Sequence, residues 1–144
     1  MNRILLAFSA VFAGFIAFSQ GGVNCPGMAP ICTDVGLNFT ANADGDEAST
    51  LDPGNNYDCL IGQPNPTWYY FQIATDGNIE MELAATFDID FAIWGPFSSL
   101  SVAQAACGSL GNQTPPDPNN GNLVDCSFSI AAVENPVITG ALTG

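Results

Sequence analysis

Two groups of carboxylates have the residue types and spacing that could bind a metal ion. The run 44–47 reads Asp-Gly-Asp-Glu, so three acids lie within four residues beside a glycine. Asp88 and Asp90 lie in FDIDFAIWGPF (87–97), where alternation along an extended chain places both carboxylates on one face. The opposite face is predicted to lie in the core and carries Phe87, Ile89, Phe91 and Ile93. Calcium takes about six to eight oxygen ligands from carboxylates, amides and carbonyls. We therefore predict a calcium-binding protein whose ligands are Asp44, Asp46, Glu47, Asp88 and Asp90.

These acids also have a simpler interpretation. Surface carboxylates are commonly solvated, or they accept hydrogen bonds from nearby backbone N–H groups. The run 44–47 does not fit the spacing of an EF-hand loop. The sequence holds 14 Asp and Glu residues against one basic residue, Arg3, and no His. Each acid must therefore face water, accept N–H donors or bind a cation.

The same charge balance excludes several classes of function. Without His, no Ser-His-Asp or Cys-His catalytic arrangement can form, and without Lys there is no Schiff base. A pair of carboxylates could catalyse glycoside hydrolysis, but no feature of this sequence identifies one carboxylate as the general acid and another as the base or nucleophile. Nucleic acids and anionic membrane surfaces require Lys or Arg, which the chain lacks beyond Arg3. We predict a non-enzymatic protein that binds no nucleic acid.

Three aromatic residues share one face of their strands and could form a ligand-binding platform. Trp68, Tyr70 and Trp94 have the parity opposite to the apolar residues predicted to fill the core. Exposed aromatic rings can stack on sugars or pack on a neighbouring domain. These residues are therefore predicted to bind an extracellular glycan or surface. The alternative, which is commoner on monomers, is that the loops 43–65 and 108–125 cover them.

The elements that would position these residues are mainly strands. Stretches rich in aromatic and β-branched residues or with strict alternation are typical of half-buried strands. The predicted strands are 37–42, 66–74, 79–85, 86–94 and the start of 133–144. Thr75-Asp76-Gly77-Asn78 predicts a hairpin turn between the second and third of these. The segment 43–59 is predicted to be a surface loop.

One segment, 98–107, has the pattern of a short helix, with Ser98 or Ser99 as its N-cap. Several short strands with one helix predict an all-β fold, an antiparallel β-sandwich of jelly-roll type.

The first nineteen residues have the features of a secretory signal peptide. An early Arg3 precedes an apolar run that ends in Ala17-Phe18-Ser19, a small-x-small cleavage pattern. Cleavage before Gln20 leaves residues 20–144 as a single exported domain with no basic residue. We expect no membrane insertion after cleavage, because the apolar run is short for a membrane span.

The five cysteines indicate disulfides, because an exported chain meets an oxidising compartment. A zinc site is the alternative, but there is no CxxC pair and no His. Cys107 and Cys126 bracket the long loop, so a Cys107–Cys126 disulfide is the favoured pairing. Cys32 and Cys59 are the other predicted disulfide cysteines, and Cys25 is left without a partner, although five cysteines with one unpaired allow fifteen arrangements.

The motifs around 66–97 resemble a known family. The matching residues are Pro66-Thr67-Trp68-Tyr69-Tyr70-Phe71, Gly77-Asn78-Ile79, Asp88-Ile89-Asp90-Phe91, Trp94-Gly95-Pro96-Phe97, and Asp125-Cys126-Ser127 with Cys107. They resemble the amino-terminal ectodomains of large adhesin-like proteins that bacteria export through the type IX secretion system. They are also similar to the pre-peptidase C-terminal jelly-roll module. The likeness spans roughly residues 25–144.

This resemblance implies a function and an architecture. It implies a non-catalytic binding or structural module at the cell surface, joined to downstream domains of the same protein. It also implies that the chain is a copy lacking its last strands and a final cysteine, which would be the missing partner of Cys25. The alternative function is an accessory domain of a secreted hydrolase, of carbohydrate-binding or pre-peptidase C-terminal type.

Overall fold

The computed structural model describes residues 21–31, 38, 45–112 and 121–141, and its regular elements are short. A 3-10 turn, Cys25–Gly27, comes first. The remaining elements are β1 (Ala29–Pro30), α1 (Ala48–Leu51), β2 (Tyr69–Tyr70), β3 (Gly77–Glu80), β4 (Leu83–Ala84), β5 (Phe91–Gly95), α2 (Leu100–Ala105), β6 (Asn122–Ser127), β7 (Val133–Glu134) and β8 (Val137–Ala141). The described residues thus form mostly strands with two small helices, which agrees with the predicted all-β class.

The strands pair across long stretches of sequence. In the described ranges they form four two-stranded sheets, in which β3 pairs with β8, β4 with β7 and β5 with β6, all antiparallel. The fourth pair, β1 with β2, is parallel. The three carboxy-terminal strands are therefore paired with strands from the middle of the chain. Each pairing closes a long loop, and other contacts must offset the conformational entropy lost on closure.

The pair β5–β6 is the longest ladder among the described residues, and it contains Trp94 of the predicted aromatic platform. Its register runs from Phe91 opposite Ser127 to Gly95 opposite Asn122, with an irregularity between Ile93 and Trp94. Aromatic and β-branched residues favour this pleated, half-buried surface. Pro96 follows directly and has no N–H to extend the ladder, so β5 ends at Gly95.

The helix prediction is confirmed. Helix α2 lies within the predicted segment 98–107, and the Ser99 side chain accepts a hydrogen bond from the Val102 backbone N–H at 3.3 Å. This N-cap satisfies one of the N–H groups that lack a partner within the first turn. No helix in the described ranges combines the length and apolarity needed to span a membrane.

The predicted hairpin at 75–78 is wrong. β2 pairs with β1, and β3, which begins at Gly77, pairs with β8 instead of with the preceding strand. The Asp-Gly turn signal is local, whereas these pairings are decided by packing between distant segments. The alternation in 79–83 is confirmed, since Ile79 and Leu83 are half-buried while Glu80 and Glu82 are exposed.

Two further strand and loop predictions need correction. The strand predicted at 86–94 begins only at Phe91, and Phe87, which was predicted to face the core, is 80% exposed. The predicted loop 43–59 contains α1, which starts beside a bridge between Glu47 and Pro64. The strand predicted at 37–42 lies outside the described residues except for Asn38.

The disulfide pairing differs from the favoured one. Cys107 is bonded to Cys25, and Cys126 is bonded to Cys59, so Cys107–Cys126 is wrong. Cys25 accordingly has its partner within the chain, and Cys32 lies outside the described residues. The bonded cysteines lie 82 and 67 residues apart in sequence. In the loop-entropy description, each bond therefore raises the free energy of the unfolded chain by about 4 kcal/mol. The position of Cys107 and Cys126 at the two ends of one loop did not decide the pairing. Instead, α2 lies against the Cys25–Gly27 turn, which brings Cys107 close to Cys25.

The core is small and forms around the first of these disulfides. Cys25, Ala106 and Leu110 are almost fully buried. Around them pack the partly buried side chains of Met28, Trp68, Trp94, Phe97 and Cys107. The Asp52 carboxylate, 7% exposed, accepts a hydrogen bond from the Cys25 backbone N–H at 2.8 Å. A buried acid is thereby satisfied without a basic side chain.

Proteolytic mapping checks the disulfide pairing. Trypsin cleaves after Lys and Arg, and the sequence has neither beyond Arg3. The non-reduced protein is therefore cleaved before its aspartates by a protease of that specificity. Cyanogen bromide then cleaves after Met28, which separates Cys25 from Cys32. Mass spectrometry is expected to find Cys25 linked to the Cys107 peptide and Cys59 linked to the Cys126 peptide. A fully reduced sample is the control. A peptide that joins Cys107 to Cys126 would contradict the structure.

Candidate binding site

Two of the three predicted platform residues stack on each other. The rings of Trp68 and Trp94 are 5.5 Å apart between centroids and inclined by 22°. Tyr57 meets both edge-on, at 6.4 Å from Trp68 and 6.0 Å from Trp94. Stacked and edge-to-face contacts between aromatic rings add stability beyond the area they bury. One face of each Trp ring is therefore used within the protein.

Tyr57, which packs edge-on against the two Trp rings, belongs to the loop 43–65. Tyr57 is 7% exposed, and its hydroxyl donates towards the carbonyl oxygens of Ala48 at 3.0 Å and Asp52 at 3.1 Å. Burial raises the pKa of Tyr57, with a smaller increase from the nearby Asp52 charge and an opposing hydrogen bond from Asn55. The hydroxyl thus stays protonated and holds the ring in place.

The indole nitrogens differ in their partners. Trp94 Nε1 donates to the Asn56 carbonyl oxygen at 3.2 Å, which ties β5 to the loop. Trp68 Nε1 is buried and finds no hydrogen-bond acceptor in the part of the chain that the structure describes. Tyr70 lies two residues beyond Trp68, half-buried in β2. Both Trp residues are half-buried, so sugar stacking by these residues stays a prediction.

The predicted calcium ligands at 44–47 lie before α1. Asp44 is outside the described residues, and Asp46 is exposed, with its carbonyl oxygen accepting the Asn65 N–H at 2.9 Å. Glu47 Oε2 accepts the Gln63 N–H at 2.7 Å. These contacts match the simpler interpretation for Glu47, whose carboxylate serves as an acceptor for the local backbone.

Asp88 and Asp90 lie just before β5 and not within it. Asp88 is exposed, whereas Asp90 is half-buried and its Oδ1 accepts the Ser129 N–H at 3.1 Å. Together with Phe128, Ser129 and Ile130 they line a small cleft of about 70 Å³. The structure therefore brings these two acids together with the segment that follows β6.

A third acid belongs to this region, and the sequence analysis missed it. Glu134 in β7 is only 8% exposed, and its Oε1 has no hydrogen-bond partner among the described residues. The pKa of Asp90 is raised by desolvation first, then by the Asp88 charge, and further by Glu134; the Ser129 hydrogen bond opposes this. Hydrophobic patterning could not have found it, because a pattern would bury the apolar Val133 and expose Glu134, whereas Val133 is exposed and Glu134 is buried.

The described ranges contain no group of three or more His, Cys, Asp or Glu side chains arranged to hold a metal ion. Calcium binding therefore stays a prediction from the sequence. Comparisons with models of protein families, with curated proteins and with solved structures found no match for this chain.

Melting curves test the calcium prediction. With 5 mM calcium chloride, we expect a midpoint several degrees above that in EDTA, because a ligand that binds only the folded state stabilises it. If the ion binds beside β5, the double variant Asp88→Asn, Asp90→Asn should lose the shift. If it binds before α1, the double variant Asp46→Asn, Glu47→Gln should lose it. Magnesium chloride at the same concentration is the control. An unchanged midpoint would contradict the prediction.

A second prediction concerns the pH dependence of stability. Because the folded-state pKa of Asp90 is raised, the folded protein holds that proton more tightly, and ionised Asp90 lowers stability at neutral pH. Asp90→Asn keeps an acceptor for Ser129 and removes the charge. In EDTA we expect a higher melting midpoint for this variant at pH 7, with the difference vanishing below ~pH 3.

The control for this variant is Asp58→Asn. Asp58 is exposed and has a φ of 46°, a left-handed conformation that Asn tolerates, so its charge is removed without strain. This control should melt like the native protein at both pH values. A lower midpoint for Asp90→Asn at pH 7 would show that the ionised carboxylate is stabilising, which is the opposite sign.

Proposed function

We propose that this chain is a non-catalytic binding or structural module of an extracellular, adhesin-like protein at a bacterial cell surface. The observation that carries this proposal is the disulfide pair Cys25–Cys107 and Cys59–Cys126. Disulfides that join distant segments of a small domain persist in oxidising compartments. They support export, and they suit a module that must keep its shape outside the cell.

The composition supports a role without catalysis. The chain has no His and no Lys, so its side chains offer no nucleophile–base pair of the usual kinds. The aromatic cluster of Tyr57, Trp68 and Trp94 braces the scaffold, with its rings packed on one another. Short antiparallel strands with such a brace form a rigid support for surface loops, which is how many binding modules are built.

The finer assignment rests on the sequence motifs. The antiparallel pairs β3–β8, β4–β7 and β5–β6 support a jelly-roll-like sandwich as the complete architecture. The resemblance of 66–97 supports export by type IX secretion and attachment through downstream domains. Both are part of the proposal, together with partners at the cell surface.

Surface labelling and attachment assays test this function. Antibodies against the purified protein are expected to label intact cells of the source bacterium, and protease treatment of intact cells should remove the label. Deletion of the reading frame is expected to reduce attachment to a solid surface, and a plasmid copy should restore it.

Two outcomes would contradict the proposal. Label that appears only after the cells are lysed would exclude a surface location. Normal attachment of the deletion strain, combined with a loss of secreted peptidase or glycosidase activity, would favour the accessory domain of a hydrolase instead.

A further inference from the structure

The cleft beside β5 is built by two segments that hydrogen bonds hold together. Before β5, the Ile89 N–H donates to the Ala131 carbonyl oxygen at 3.2 Å, and Asp90 accepts from Ser129. The Ala85 N–H donates to the Ala132 carbonyl oxygen at 2.9 Å. These hydrogen bonds hold the backbone on both sides of the cleft in place, and so they position the lining residues relative to one another.

Large apolar side chains at and beside this cleft are exposed to water. Ile130 is 98% exposed, Phe128 is 48% exposed, and Phe87, the neighbour of Asp88 in the chain, is 80% exposed. Single exposed apolar residues are ordinary, but a group of them rimmed by polar residues marks an interaction site. Here the polar rim consists of Asp88 and Asp90.

The charge of this surface has no counterpart within the chain. Asp88 and Asp90 line the cleft, and the buried Glu134 adds a third negative charge that acts on Asp90. Glu134 is also the buried acid whose Oε1 has no partner in the described ranges. Because Arg3 is the only basic residue of the whole sequence and lies in the predicted signal peptide, a basic side chain that pairs with these acids can come only from another molecule.

We infer that this cleft binds a basic side chain, Lys or Arg, that a partner protein presents together with apolar neighbours. The aliphatic stem of such a side chain packs along Phe128 and Ile130 while its cationic head lies against Asp88 and Asp90. The apolar walls favour this occupant over a calcium ion, since Phe128 and Ile130 side chains supply no oxygen ligand. The inference rests on the proposed binding function and names one partner chemistry for it.

A peptide titration followed by NMR tests the inference. The probe is acetyl-Gly-Ile-Arg-Ile-Gly-amide, titrated into the ¹⁵N-labelled protein in EDTA and low salt. We expect shifts at the amides of Asp88, Asp90, Ser129 and Ile130, and no shifts with the same peptide carrying Glu in place of Arg. Added salt should weaken the binding, because it screens the charges.

Variants give the expected magnitudes. Asp88→Asn and Asp90→Asn should each weaken binding about two- to fivefold, the range for one partly exposed ion pair. Ile130→Ser should also weaken it, and this residue is so exposed that its replacement leaves the fold intact. Asp58→Asn, which removes one charge elsewhere on the surface, is the matched control and should bind like the native protein.

Three results would overturn the inference. Equal binding of the Glu peptide would show that charge plays no part. Binding unaffected by both Asp variants and by Ile130→Ser would place the contact elsewhere. Shifts at the same amides with calcium chloride alone would assign the cleft to a metal ion. Surface labelling and attachment are independent of these results, so failure here leaves the proposed function standing.

Discussion

The burial of Cys25 is the constraint on which the rest of the structure depends. Its side chain is fully buried and bonded to Cys107, two residues beyond α2, and its backbone N–H donates to the buried carboxylate of Asp52. One residue thus joins the start of the chain, the polar loop and the helix. The Trp68–Trp94 stack packs against this junction, and Asn55 Oδ1 accepts hydrogen bonds from the N–H groups of Gly108 and Leu110.

A second constraint is the almost complete absence of basic side chains. Acids inside the structure must be satisfied by backbone N–H groups, and several are. Asp52 accepts from Cys25, Glu47 from Gln63, Asp90 from Ser129, and Asp125 from both Cys126 and Val137. Except for the bond between Asp125 and Cys126, these bonds join segments that are 12 to 39 residues apart in sequence, and they take the place of the ion pairs that other domains use. Glu134 is different, because its Oε1 has no such donor in the described ranges.

Local patterns predicted local features well. The Ser99 cap and the helix after it follow from a side-chain hydrogen bond within four residues, and the burial of Ile79 and Leu83 follows from alternation. Alternation placed Asp88 and Asp90 on one face, and both line one cleft, whereas their role as calcium ligands stays a prediction. Glu134, Phe128 and Ile130 could not be found this way, because they come from segments some 40 residues away along the chain that long-range pairing brings near.

The sequence by itself determined the charge, the lack of His and Lys, the strand-rich character and the helix at 100–105, because each depends on composition or on neighbours within a few residues. Only the tertiary structure decided which cysteines pair, which strands are adjacent, and that Phe87 faces water instead of the core. Those outcomes depend on packing between segments that are distant in sequence, and a local pattern such as the Asp-Gly turn carries no information about that packing.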